Sequence, residues 1–134
     1  MHLARHMEAM QGEPGAEIVC SQQWTPEYAE RLSHAEMAIF VDASATILPG
    51  EVQVRAVSPD SSRQGVTSHS VSPAQLLALA QQLYGRVPAR SFLVTIGGES
   101  FAHDRQLSTP VRLAIPAALA RIRELLGENQ SKKG

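Results

Sequence analysis

The chain reads as an α/β protein, a sheet with helices packed against its faces. Three observations point there. Helical and strand patterns alternate along nearly the whole length. Met37 to Val41 is almost continuous in apolar residues, the mark of a central strand covered on both faces. Helix-opening pairs, Thr25-Pro26, Ser72-Pro73 and Thr109-Pro110, recur between the strand-like runs, each a cap residue followed by a first-turn proline.

Taken in order, Met1 to Met10 carries Leu3, Met7 and Met10 at helical spacing, and the segment from Gly12 to Gly15 breaks that helix. Ala16 to Ser21 reads as a strand. Thr25-Pro26 then opens a helix through about Ala35, and the strand from Met37 follows. Pro49-Gly50 turns the chain into Glu51 to Val57, whose strict alternation predicts a strand with one wet face near a sheet edge. Ser58 to Val66 is a polar loop. Ser72-Pro73-Ala74-Gln75 forms a capping box, and Leu76, Leu77, Ala80, Leu83 and Tyr84 place one apolar stripe on the helix that Gly85 ends. Ser91 to Ile96 is a further apolar strand, stopped by Gly97-Gly98. Thr109-Pro110 opens the last helix, striped by Ile115, Leu119, Ile122, Leu125 and Leu126, with Pro116 either bending it or marking its true start.

Composition narrows the function classes. The 134 residues, 43% of them hydrophobic, suit one core, and no repeat or linker divides them. With 12 Lys and Arg against 13 Asp and Glu and 4% aromatics, the chain lacks the clustered cations and stacking rings of a nucleic-acid groove. Cys20, the single cysteine, excludes an internal disulfide and fits a small buried residue in a reducing compartment. No apolar run approaches the ~20 residues that span a bilayer, and the first residues lack a signal-peptide core, so the cytoplasm is expected. Asn129-Gln130-Ser131 matches a glycosylation sequon by chance.

Two side chains stand out chemically. Ile39-Phe40-Val41-Asp42 is an apolar strand ending in an acid, and polar groups at the carboxyl ends of strands line the ligand crevice of open α/β sheets. The alternative for Asp42 is a helix or turn cap. His69 precedes the cap of a helix by three residues, where the positive end of the dipole favours the neutral, metal-binding ring. A loop histidine bonded to backbone is its alternative. His2 and His6 have the spacing of a helical zinc pair, but Leu3 stands where the metalloprotease motif needs glutamate. His34 and His103 read as surface histidines, with a role as an extra ligand the lesser alternative for His103. Ser44 with Asp42 and His69 would make a triad, yet no nucleophile elbow surrounds that serine. Gly97-Gly98-Glu99 lacks the third glycine and helix start of a pyrophosphate cradle, although Glu99 can face the same crevice.

The order of these pieces resembles the maturation endopeptidases of nickel-iron hydrogenases. The matching stretches are Val41-Asp42-Ala43, Pro49-Gly50-Glu51-Val52, Ser68-His69 ahead of Leu76 to Ala80, and Leu83-Tyr84-Gly85-Arg86-Val87-Pro88. Val94-Thr95-Ile96-Gly97-Gly98 and Leu107-Ser108 before Val111 to Pro116 follow, so the likeness runs from Met1 to about Leu126. Gln23-Trp24-Thr25-Pro26-Glu27 looks like the branch serving soluble, cofactor-linked hydrogenases.

The resemblance implies a three-layer αβα sandwich around a mostly parallel sheet, with residues 1–127 as the protease-like domain and 128–134 as a disordered tail. It implies an enzyme that cuts the carboxy-terminal extension from a nickel-loaded hydrogenase large-subunit precursor, with no nucleic-acid or membrane partner and as a monomer. Nickel is the recognition signal, held by a glutamate, an aspartate and a histidine, the last two falling on Asp42 and His69. Open coordination positions would admit the precursor's own groups, and a metal-polarised carbonyl or an activated water would each fit that ligand set. The catalytic residue is not identified. Members of the family open with an apolar strand, a Gly-Asn turn and the glutamate ligand directly before the helix that here starts at Met1. Those pieces are expected upstream of Met1, through a start codon assigned too late or a natural loss. On that expectation the sheet lacks its first strand, with unpaired backbone on its neighbours and a poorly soluble or metal-incompetent product; a non-catalytic precursor-binding protein, or an inactive fragment, is the alternative to the protease. A hydrolase of small molecules using Ser44 and His69 is a more distant alternative.

Overall fold

The computed structural model describes residues 16–20, 24–44, 46–60, 71–98, 100–101, 106–107 and 109–133. Strand β1 (Ala16–Cys20) is followed by a 3-10 turn (Pro26–Tyr28) that runs into helix α1 (Ala29–Ser33). Then come β2 (Met37–Ser44), β3 (Val52–Ala56), α2 (Pro73–Tyr84) and β4 (Arg90–Gly97). Short strands β5 (Ser100–Phe101) and β6 (Gln106–Leu107) pair antiparallel with each other, and α3 (Thr109–Lys133) ends the described chain. The four-stranded sheet has the order β1-β2-β4-β3, with β1, β2 and β4 parallel and β3 antiparallel to β4.

Alternation along the strands builds the layers, because successive side chains point to opposite faces. Ile18, Ile39, Val41, Val94 and Ile96 lie on one face with Val111, Ile115, Ala118 and Ile122 of α3. Val19, Ala38 and Phe40 lie on the other with Leu32 of α1 and Leu76, Leu77 and Ala80 of α2. Both faces are therefore covered, and the architecture is an α/β sandwich. Each fully buried Ile, Leu or Phe contributes about 1.5–3 kcal/mol of hydrophobic stabilisation, so these two clusters hold the layers together. On the second face Trp24 packs edge-on to Phe40, with ring centroids 6.1 Å apart, and its Nε1–H donates to the Val19 carbonyl at 3.1 Å.

The local signals in the sequence are realised with informative exceptions. Ser72 caps α2 by accepting from the Gln75 N–H, the Gln75 side chain accepts from the Ser72 N–H, and Gly85 ends the helix in the left-handed region at φ 72°. Thr25, by contrast, makes no side-chain cap, and the turn it opens is 3-10 before it becomes α1. The apolar stripe of α2 stops at Ala80: Leu83 and Tyr84 are exposed, since the helix has by then passed the end of the face it covers. Pro116 neither ends nor starts α3, which begins at Thr109; the proline is exposed on the side away from the sheet. The helix also runs on through Lys133, past the boundary at 127, because Glu128, Gln130 and Lys132 are good helix formers and Gly127 keeps helical backbone.

A sheet with a gap beside β2 is not what the described residues form. β2 is paired along both sides, with Ile39 opposite Ile18 on β1 and Phe92 on β4. Direct pairing is favourable because β1 and β2 alternate in phase: Ile18 and Cys20 join Ile39 and Val41 on one face, and Val19 joins Phe40 on the other. The helix expected over Met1 to Met10 lies outside the described residues.

Candidate functional site

Asp42 sits within β2 and not beyond it, one step past Phe40 on the same face. The register carries that position across the sheet: Asp42 is opposite Thr95 on β4, and Thr95 is opposite Gln53 on β3. A polar row thus crosses three strands. The row before it, Phe40, Leu93 and Arg55, is apolar where α2 covers the sheet and cationic at the β3 edge. The row after it begins with Ser44, whose Oγ lies 2.6 Å from Thr46 Oγ1 and accepts from the Thr46 N–H at 3.1 Å.

The apolar side chains of α2 pack with Phe40, and beyond them a cleft of about 550 Å³ runs from Asp42 across this face to the β3 edge, where Val54 and Arg121 of α3 also line it. Asp42, Ser44, Gln53, Arg55, Thr95 and Arg121 line it. Asp42, Ser44 and Thr95 are half-buried at its floor, while Gln53 and Arg55 are exposed at its edge. An acid in such a position keeps partial access to solvent and presents oxygen donors to a ligand in the crevice at the strand ends.

One wall is fixed by backbone. The turn carrying Thr46 and Ile47 crosses the end of β4 so closely that a Cβ on Gly97 would overlap the Leu48 carbonyl oxygen. Three hydrogen bonds hold that crossing: Gly97 N–H to the Glu51 carbonyl at 2.7 Å, Gly50 N–H to the Gly97 carbonyl at 2.9 Å, and Gly98 N–H to the Ser44 carbonyl at 2.9 Å. Gly97 therefore serves the close approach of the two backbones.

Of the side chains singled out by the sequence, Asp42 and Ser44 are brought into one cleft. His69, Glu99, His2, His6 and His103 lie outside the described residues, and so does the expected pairing of Asp42 with His69. His34 is exposed at the end of α1, just before β2 begins and thus at the far end of the sheet from Asp42. Among the described residues no three His, Cys, Asp or Glu side chains cluster as a metal site. Cys20 is buried, and burial pushes its thiol up to about 12, away from nucleophilic use at neutral pH. Gln53, Arg55, Thr95 and Arg121 are site residues that the sequence reading missed. The alternation of β3 contained the first two, but which neighbours its wet face would meet depends on register.

Fold and cleft together define an open α/β-sheet protein with a polar crevice at the carboxyl ends of its parallel strands. Among solved structures the chain is similar to the hydrogenase maturating endopeptidase HybD from E. coli, at 24% identity and a TM-score of 0.55, over 77% of this chain and 65% of that one. The likeness is one of fold, and the chain matches about two thirds of HybD's length. No protein-family model and no curated protein matches the chain. No helix among the described residues is long and apolar enough to cross a membrane.

Proposed function

We propose that this chain acts as an endopeptidase of hydrogenase maturation, removing the carboxy-terminal extension of a nickel-loaded large-subunit precursor. The observation that carries the reading is the position of Asp42. It is a half-buried carboxylate at the carboxyl end of the central parallel strand, open to a cleft, on a fold shared with an endopeptidase named for that process.

Nickel enters as part of the substrate. The chemistry of the cleft suits a divalent ion: the Asp42 carboxylate is an oxygen donor, and Thr95 and Gln53 add neutral oxygens in the same row. His69 is the proposed nitrogen donor. On this reading the residues of the chain bind and orient the metal-bearing segment, and the wall formed by the turn of residues 46–51 limits how the peptide can lie.

The test is to incubate the full chain with nickel-loaded precursor and follow the tail by mass spectrometry. Loss of the extension, dependent on nickel in the precursor, supports the reading. Capture of precursor without any change in its mass would replace it with a non-catalytic binding protein.

A further inference from the structure

The cleft opens toward β3, which among the described residues is an edge strand. Its pairing with β4 fixes which groups face inward. Gly97 N–H donates to the Glu51 carbonyl and Val57 N–H to the Ser91 carbonyl, each at a pair of directly opposed residues. In an antiparallel ladder hydrogen-bonded pairs alternate with non-bonded ones, so Gln53 and Arg55 also bond inward. The N–H and C=O groups of Val52, Val54 and Ala56 therefore point away from the sheet. Among the described residues none of them meets a partner. Edge strands are commonly blunted by a proline, a bulge or a covering element, whereas β3 is regular over its five residues.

Charge adds direction. Arg55 is exposed on the cleft side of this edge, and Arg121 of α3 lines the same cleft. Arg121 is shared with Glu124 at 3.2 Å, an exposed pair that gives little and leaves the guanidinium available.

We infer that the outer edge of β3 receives an extended, negatively charged peptide segment as an added strand, its backbone bonding to Val52, Val54 and Ala56 and its carboxylates meeting Arg55 and Arg121. The occupant is the carboxy-terminal extension of the precursor, and in that respect the inference rests on the proposed function. Spacing assigns the part of the extension concerned. An added strand lies three interstrand steps from Asp42, roughly 14 Å at about 4.8 Å per step, or about four residues of extended chain. The edge thus holds the remote part of the tail, while the bond to be cut lies over Asp42.

The experiment uses the full chain and a synthetic peptide of the extension, with amide hydrogen exchange as the readout. Slowed exchange at Val52, Val54 and Ala56 on adding peptide is expected, with Gln53 and Arg55 unchanged. Val54→Pro removes one outward donor without touching the ladder to β4 and should weaken peptide binding about tenfold, the effect of one lost backbone hydrogen bond. Circular dichroism checks that the variant is folded. Arg55→Glu should weaken binding further, and the wild-type affinity should fall as salt is raised. Cleavage of precursor with no protection at these three amides would overturn the edge inference and leave the protease reading standing. Protection without cleavage would do the reverse. Protection that rises with protein concentration in the absence of peptide would assign the edge to a second copy of the chain and overturn the inference.

Discussion

The two faces of the sheet at the carboxyl end of β2 differ in what one residue of offset does. Val41 and Ala43 turn toward α3, where Val41 is fully buried and Ala43 packs against the same apolar cluster. Asp42 and Ser44 turn the other way, into a cleft lined by Thr95 and Gln53. The same strand therefore serves stability on one side and chemistry on the other. Among the described residues one long helix packs on the first face, whereas two shorter helices pack on the second.

That contrast can be broken most severely at Val41. Val41→Asn places an amide in the apolar cluster, opposite Val94 and without a hydrogen-bond partner, and the lost burial and unsatisfied group together should cost about 3–5 kcal/mol in denaturant unfolding. A next, smaller effect is expected at the cleft wall. Gly97→Ala forces the Leu48 carbonyl aside and should destabilise by about 1–3 kcal/mol, with loss of protection at the Gly50 and Gly98 amides in hydrogen exchange. A further effect, seen only in alkali, concerns the α3 face at β1. Burial raises the Cys20 thiol from its ordinary 9.0 to about 12, so the folded state binds a proton that the unfolded state has released between those values. Stability should therefore be complete below pH 9 and decline as pH rises toward 12, and Cys20→Ala should flatten that decline in a series of melts.

Much of the fold was legible because its signals are local. The capping box at Ser72, the left-handed Gly85, the apolar run of β2 and the alternation of β3 each depend on residues a few positions apart. Misreadings arose where tertiary position decides. Leu83 and Tyr84 keep the helical spacing of Leu76 and Ala80, yet lie past the edge of what α2 covers. The direct pairing of β1 with β2 depends on in-phase alternation of two separated segments, a relation that no single stretch of sequence displays. The β5–β6 pair, two residues a side, is too short to leave a periodic signal. In the cleft, Asp42 was readable from the apolar run it closes, but Thr95, Gln53 and Arg55 join it only through the register of three strands. A single polar residue within Leu93 to Ile96 carries no such information in isolation.

The role of Asp42 can be tested against its neighbour's. Asp42→Asn keeps the size of the side chain and removes the charge, so the variant should unfold within about 1 kcal/mol of the parent, far closer than Val41→Asn. Mixed with nickel-loaded precursor and followed by mass spectrometry, it should leave the carboxy-terminal extension attached where the parent chain removes it. Removal of the extension at the parent's rate by the folded Asp42→Asn variant would contradict the account.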